Sequence, residues 1–155
     1  MNYLPEWESS KRIVIDANLA AANIIPILGL EKARDLFIKW AAAECTLSAR
    51  EWWLAEVISI LRQYVYRKII SPASAREAVD GVFALEVELI RVDNLLCKRA
   101  LDWADSIHHS KVYDAIYLAL AEKLGAEFWS SDKKLANAAH AAGAPWVHWM
   151  GETTE

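Results

Sequence analysis

SKVYDAIYLALAEKLGAEFWSSDKK, residues 110–134, holds a helix, a stop, a strand and the start of a second helix. Ser110 is a good N-cap, because its hydroxyl can accept from an orphan backbone N–H at a helix entry. The helix then spans 112–124 and stops at Gly125, the residue type best suited to the left-handed turn that closes a helix. Residues 126–130 form a strand candidate, and Asp132 stands where the next helix begins. Two carboxylates in this stretch are unusually placed. Asp114 shares its helical sector with Tyr117, Leu118 and Ala121, on a helix apolar almost all round and therefore expected to be buried. A carboxylate there has to be paired, protonated or bound to a cation. Asp132 follows a strand end, and parallel α/β sheets bind ligands beyond the carboxyl ends of their strands. Each acid alone has an ordinary explanation, Asp114 as a charge favoured in a first helical turn and Asp132 as an N-cap.

The chain before this stretch alternates in the same way. Residues 12–16, RIVID, are a β-branched strand ending on Asp16. A short helix, 17–25, is broken by Pro26 and Gly29, and 30–43 is amphipathic with Leu36, Phe37 and Trp40 on one side. A brief strand at 45–47 leads to the longest helix, 51–70, whose stripe of Trp53, Val57, Ile60, Leu61 and Tyr64 faces the core. Glu56 sits on the border of that stripe. Ser71-Pro72 opens another helix with Pro at its favoured first position. A third strand at 88–92, a helix at 94–107, a last helix at 133–142 and a short edge strand at 145–149 complete the pattern. Alternation of this kind predicts an α/β fold with a central parallel sheet of four to five strands, covered on both faces. Two helices fall between the third and fourth strands, so one of them must lie across the sheet.

A chain of 155 residues, 55% apolar and 25% charged, fits one ordered domain. The expected division is a polar arm at 1–11, the domain at 12–150 and a tail at 151–155. A net charge of −4 supplies no global basic field for nucleic acid. Contact with a polyanion then needs local cations: Arg62, Arg67, Lys68, Lys111, Lys133 and Lys134 are candidates, with Arg62, Lys111 and Lys133 the first choices. Trp40, Trp52, Trp53 and Trp103 read mostly as core or interface, with base stacking the second use, and Trp7, Trp146 and Trp149 as candidates for packing on a partner. Cys45 and Cys97 read as small hydrophobes, not a disulfide pair. No leader pattern opens the chain and no apolar run approaches the roughly 18 residues of a membrane span. The expected compartment is the cytoplasm, with no membrane contact.

Asp16, Glu56, Asp114 and Asp132 are all placed to reach one end of the sheet. Meeting there, they would raise one another's pKa values unless a cation neutralised them. Their oxygens suit Mg²⁺ or Mn²⁺, ions that keep several waters and bind phosphate oxygens. The chemistry that follows is phosphodiester hydrolysis. The four histidines lack ligand spacing with the cysteines, which argues against zinc. The chain has no P-loop, G-x-G-x-x-G or G-x-S-x-G motif. The ordinary alternatives are that Asp16 is a helix N-cap and that Glu56 pairs with Arg50 or a lysine.

VIDAN at 14–18, LAEVISIL at 54–61, VYDAIYLALA at 112–121 and SSDKKL at 130–135 resemble PIN-domain ribonucleases, and among them the VapC-type toxins of toxin–antitoxin modules. The resemblance covers nearly all of the chain after residue 11; its motifs are short, and their order and spacing are what is specific. It implies a three-layer αβα fold and a Mg²⁺ or Mn²⁺ site. Asp16, Glu56 and Asp114 would ligate the ion and Asp132 would do so directly or through water, with Asn18 and Ser130 supporting. It further implies RNA as substrate, a small antitoxin as partner and a homodimer. Two departures stand out: Ser48-Ala49-Arg50 replaces a frequent Pro before the Glu-bearing helix, and the last motif begins with Ser130 where Thr is usual. The alternatives are a PIN nuclease of housekeeping RNA processing and a non-catalytic PIN-like binding module.

Overall fold

The computed structural model describes residues 11–25 and 31–152. The expected arm, with Trp7, and the break at Pro26 and Gly29 lie outside the described residues. Five strands and seven helices occur among those described: β1 Arg12–Ile15, α1 Ala17–Ile24, α2 Glu31–Ala42, β2 Thr46–Arg50, α3 Trp53–Tyr66, α4 Pro72–Ala84, β3 Glu88–Ile90, α5 Asn94–Ser106, α6 Tyr113–Leu124, β4 Glu127–Ser130, α7 Lys133–Ala141 and β5 Val147–Trp149. Every strand pairing is parallel, and the order across the sheet is β3-β2-β1-β4-β5. The three-layer α/β architecture expected from the alternation is the one observed.

Burial explains the strand sequences. Ile13, Val14 and Ile15 on β1 and Phe128, Trp129 and Ser130 on β4 are all buried, as central parallel strands covered on both faces must be. β3, at the edge, carries exposed Glu88 and Leu89. α6 lies over β1, β2 and β4, and α5 packs along α6 instead of on a strand. This resolves the extra helix between the third and fourth strands: α5 is the one displaced from the sheet. Tyr117 on α6 stacks on Phe128 of β4, their centroids 5.4 Å apart and their rings 3° from parallel.

Some local expectations change. Ser110 does not cap α6, whose N-cap is Val112 with no side-chain hydrogen bond. The reason lies upstream. α5 closes with His108 in the left-handed region (φ 57°) and with the His109 N–H donating to the Ala104 carbonyl, so the chain must still turn through 110–112 before α6 starts. Gly125 does close α6, at φ 60°. α3 stops at Tyr66, short of Ile70, because Lys68 turns left-handed (φ 59°) and the Ile69 N–H bonds back to the Tyr64 carbonyl. Cys97 is exposed on α5 and therefore is not the buried hydrophobe expected, whereas Cys45 is half-buried. No helix among the described residues is long and apolar enough to cross a membrane.

The α6–β4 stack is expected to carry much of the stability. Phe128→Ala should cost about 3–5 kcal/mol in denaturant unfolding. Phe83→Ala, at a site that is 62% exposed, should stay within about 0.5 kcal/mol.

Candidate active site

The sheet's order reverses between β1 and β4, the position where open α/β sheets bind ligands beyond their strand ends. Ile15 pairs in register with Trp129, so the residues just after them come side by side. Asp16 follows β1 directly. Its Oδ1 accepts from the Leu19 N–H at 2.8 Å, capping α1, and its Oδ2 accepts from the Ser130 hydroxyl at 2.6 Å. The Ser130 Oγ in turn accepts from the Asp132 N–H at 3.0 Å, and Asp132 caps α7 through the Leu135 N–H at 3.1 Å. Burial raises the Asp16 carboxyl from 3.8 to about 6, against the two hydrogen bonds and with help from the charge of Asp114.

A cleft of about 650 Å³ opens beside Asp16, and Asn18, Glu56 and Asp114 also line it. Glu56, in the first turn of α3, is held by Arg50 from the end of β2. The Nε–Oε1 and Nη2–Oε2 distances are both 2.8 Å. Arg50 also donates from Nη1 to the Tyr113 carbonyl at 2.6 Å, and its guanidinium lies 4.4 Å above the Tyr117 ring centre. The Tyr117 hydroxyl donates to Glu56 Oε1 at 3.2 Å, and burial pushes that phenol well above its usual pKa. The pairing of Glu56 with Arg50, the ordinary alternative for this acid, is thus present.

Asp114 stands in the uncapped first turn of α6. Burial raises its pKa, the charges of Asp132 and Glu56 add to the rise, and the charges of His109, 3.6 Å away, and of Arg50 oppose it. Asp132 does not line the cleft but is near enough for its charge to act on Asp114. Among the described residues, no three His, Cys, Asp or Glu side chains stand close enough together to hold an ion by themselves. Of the basic residues expected to meet RNA, none lines the cleft: Arg62 is exposed on α3 near Tyr66, Lys111 precedes α6, and Lys133 lies 5.0 Å from the Trp149 ring centre.

Sequence reasoning gave Tyr113, Ser59 and Gln63 no role, and named Trp52 only among core or interface residues and Arg50 only as a possible partner of Glu56. Trp40, Trp53 and Trp103 are buried as expected, but Trp52 is 49% exposed and lines the cleft with Tyr113, itself 61% exposed. A tryptophan at the α3 N-cap, with no capping hydrogen bond, was the available signal, since that position favours Ser, Thr, Asp or Asn. Arg50, 4% exposed, could have been found as a charged residue ending an otherwise buried strand.

A carboxyl titrating near 6 in the fold binds its proton more tightly there than at its ordinary 3.8. Ionisation of Asp16 therefore weakens the fold as pH rises from about 4 to about 6, and the penalty is complete above that range. Asp16→Asn removes the charge and keeps a good N-cap. In EDTA at pH 7.5 its thermal midpoint should lie above that of the unaltered chain, and the gain should vanish near pH 3.5.

No protein-family model matches the sequence, and no curated protein does. Solved structures do resemble it. PAE2754 from Pyrobaculum aerophilum superposes with a TM-score of 0.63 at 16% identity, over 89% of this chain and 88% of that one. VapC20 of Mycobacterium tuberculosis, a toxin that cleaves the sarcin–ricin loop, gives 0.58 at 20% identity over 81% and 94%. A toxin–antitoxin complex from Klebsiella pneumoniae gives 0.56 at 18% identity over 91% and 99%. At these identities the likeness is one of fold, and it agrees with the resemblance read from the motifs: this chain has the PIN-like αβα fold of VapC-type proteins.

Proposed function

We propose that this protein is a divalent-ion-dependent endoribonuclease that hydrolyses RNA phosphodiester bonds, and that it is the toxin of a toxin–antitoxin pair. The observation that carries the reading is the placement of Asp16. A carboxylate is fixed at the switch point of a VapC-like sheet, its pKa lifted to about 6 with Asp114 contributing. The toxin assignment is supported by VapC20 and by the toxin–antitoxin complex, both of which share the fold.

The residues present fit Mg²⁺ or Mn²⁺. The titratable cleft acids are oxygen donors, with neither Cys nor His lining the cleft. Asp16 and Asp114 repel each other, which a cation would relieve. Two carboxylates suffice, because Mg²⁺ is commonly held by one or two, with waters and substrate phosphates completing the shell. Asp16 and Asp114 would hold the ion, with Asp132 acting through water. When bound, the ion supplies activation of a water and stabilisation of the leaving oxygen.

The chain's own groups do the rest. Ser130 and the Leu19 N–H fix the rotamer of Asp16, so its position is set before substrate arrives. Asn18, Ser59 and Gln63 line the cleft and offer hydrogen bonds to phosphate or ribose oxygens. Trp52 and Tyr113 present open aromatic faces, on which unpaired bases stack. Bases must be splayed out to reach such faces, so unpaired RNA is the favoured substrate over duplex. The proposed partners are an antitoxin and a second copy of the chain.

One observation favours the non-catalytic alternative: Glu56 is already neutralised by Arg50. The two readings part in a cleavage assay on unpaired RNA. Cleavage should require Mg²⁺ or Mn²⁺, stop in EDTA, and fall at least about 100-fold in Asp16→Asn and in Asp114→Asn, beyond the ~10–100-fold typical of losing an outer-shell partner. Cleavage undiminished by EDTA, or unchanged from the unaltered chain in both variants, would end the proposal. The toxin role is tested in cells. Induced expression should arrest growth, Asp114→Asn should not, and a small protein encoded beside the gene should relieve the arrest when co-expressed.

A further inference from the structure

We infer that Glu56 serves Arg50 and not a divalent ion, and that Arg50 is a positioning residue which limits the cleft to a single ion on Asp16 and Asp114. The inference rests on the nuclease reading only in taking the cleft as an ion site. It departs from the role that the sequence resemblance implies for Glu56.

The geometry points one way. Both oxygens of Glu56 are taken by one guanidinium, at 2.8 Å each, and Oε1 also accepts the Tyr117 hydroxyl at 3.2 Å. Paired forks of this kind are among the strongest hydrogen bonds a carboxylate makes. Arg50 is itself fixed from three sides. Its backbone ends β2, its Nη1 is spent on the Tyr113 carbonyl at 2.6 Å, and Tyr117 lies flat beneath it at 4.4 Å. With 4% of its surface exposed, Arg50 has little solvent to take the place of Glu56.

For Glu56 to join an ion it would have to abandon a buried cation, which folded proteins tolerate poorly. The guanidinium cannot lose its proton to ease this, because its pKa lies far above any working pH. Burial pulls that pKa down, but the hydrogen bonds and charges of Glu56 and Tyr117 more than reverse the effect. Among the described residues, no third Asp or Glu is placed to share an ion with Asp16 and Asp114, which agrees with Glu56 being committed elsewhere. Arg50 thus brings a permanent positive charge into the lining of the cleft beside Glu56, where it disfavours a second ion.

The test is Mn²⁺ titration of the full chain by calorimetry, without RNA. The unaltered chain should take one ion. Removing the pair together, in the Arg50→Gln, Glu56→Gln double variant, should leave its affinity within about threefold, whereas Asp114→Asn should weaken it by ~10-fold or more. Arg50→Gln frees the Glu56 carboxylate, so it should tighten Mn²⁺ binding ~10-fold or admit a second ion. That gain should disappear in the Arg50→Gln, Glu56→Gln double variant, which separates a freed carboxylate from the mere loss of a positive charge. If Arg50→Gln fails to fold, Arg50→Met fills much of the same space without the charge, and the same direction of change is expected. Loss of ~10-fold affinity in the double variant, no gain in the foldable Arg50 variant, or no Mn²⁺ bound by the unaltered chain overturns the inference. Mn²⁺ binding without RNA cleavage would keep it and remove the nuclease reading. Cleavage by the unaltered chain combined with weak Mn²⁺ binding in the double variant would do the reverse.

Discussion

Asp16 ties together the centre of the sheet. One oxygen closes the first turn of α1 and the other takes the hydroxyl of Ser130 from the neighbouring strand, which then orients the start of α7 through Asp132. The link depends on register. Because Ile15 and Trp129 are partners, the acid that ends β1 and the serine that ends β4 fall within one hydrogen bond of each other. The same arrangement surrounds a carboxylate with packed atoms and lifts its pKa to about 6. A purely structural cap would be better served by a neutral side chain. Retaining the charge at this point is a strain of the kind that functional sites keep.

The cleft therefore contains two classes of acid. Glu56 is compensated within the chain by Arg50, while Asp16 has only neutral donors and feels the charge of Asp114, which no guanidinium holds in a fork. His109, close to Asp114, moderates the second of these without neutralising it. A net charge of −4 would hold RNA off at long range, and the basic residues once expected to draw it in do not line the cleft. What the cleft offers a nucleic acid instead is aromatic area, Trp52 and Tyr113, together with the uncompensated demand for a cation.

The architecture was legible because its determinants are local. β1 carries an apolar run, Ile13-Val14-Ile15, suited to a central parallel strand, and Gly125 marks a turn that few other residues take at φ 60°. The acids at strand ends could be placed for the same reason. Ser110 misled because a capping residue is useful only where the chain direction permits a helix to begin, and that direction is set by how α5 ends. Trp52 misled because periodicity separates it from buried Trp53 by a single position, yet that position rotates it by about 100° towards the cleft. The Arg50–Glu56 fork depends on the angle between β2 and α3, which no spacing of letters specifies; six residues apart, the two were recognisable only as possible partners.

Capping and ion binding are not competing explanations for an aspartate. A carboxylate has about four lone-pair sites, and Asp16 uses one on each oxygen. Its donors, an amide and a hydroxyl, are neutral, so they satisfy its geometry and leave its charge in place. Glu56 also accepts on both oxygens, but two of its three bonds come from a guanidinium, and that carries away the charge with the geometry. The two acids differ in the charge of what bonds to them far more than in how many bonds they make. A sequence motif records that both are carboxylates at a given spacing. Whether each remains available to a cation is decided by its donors, and on that ground Asp16 is open where Glu56 is closed.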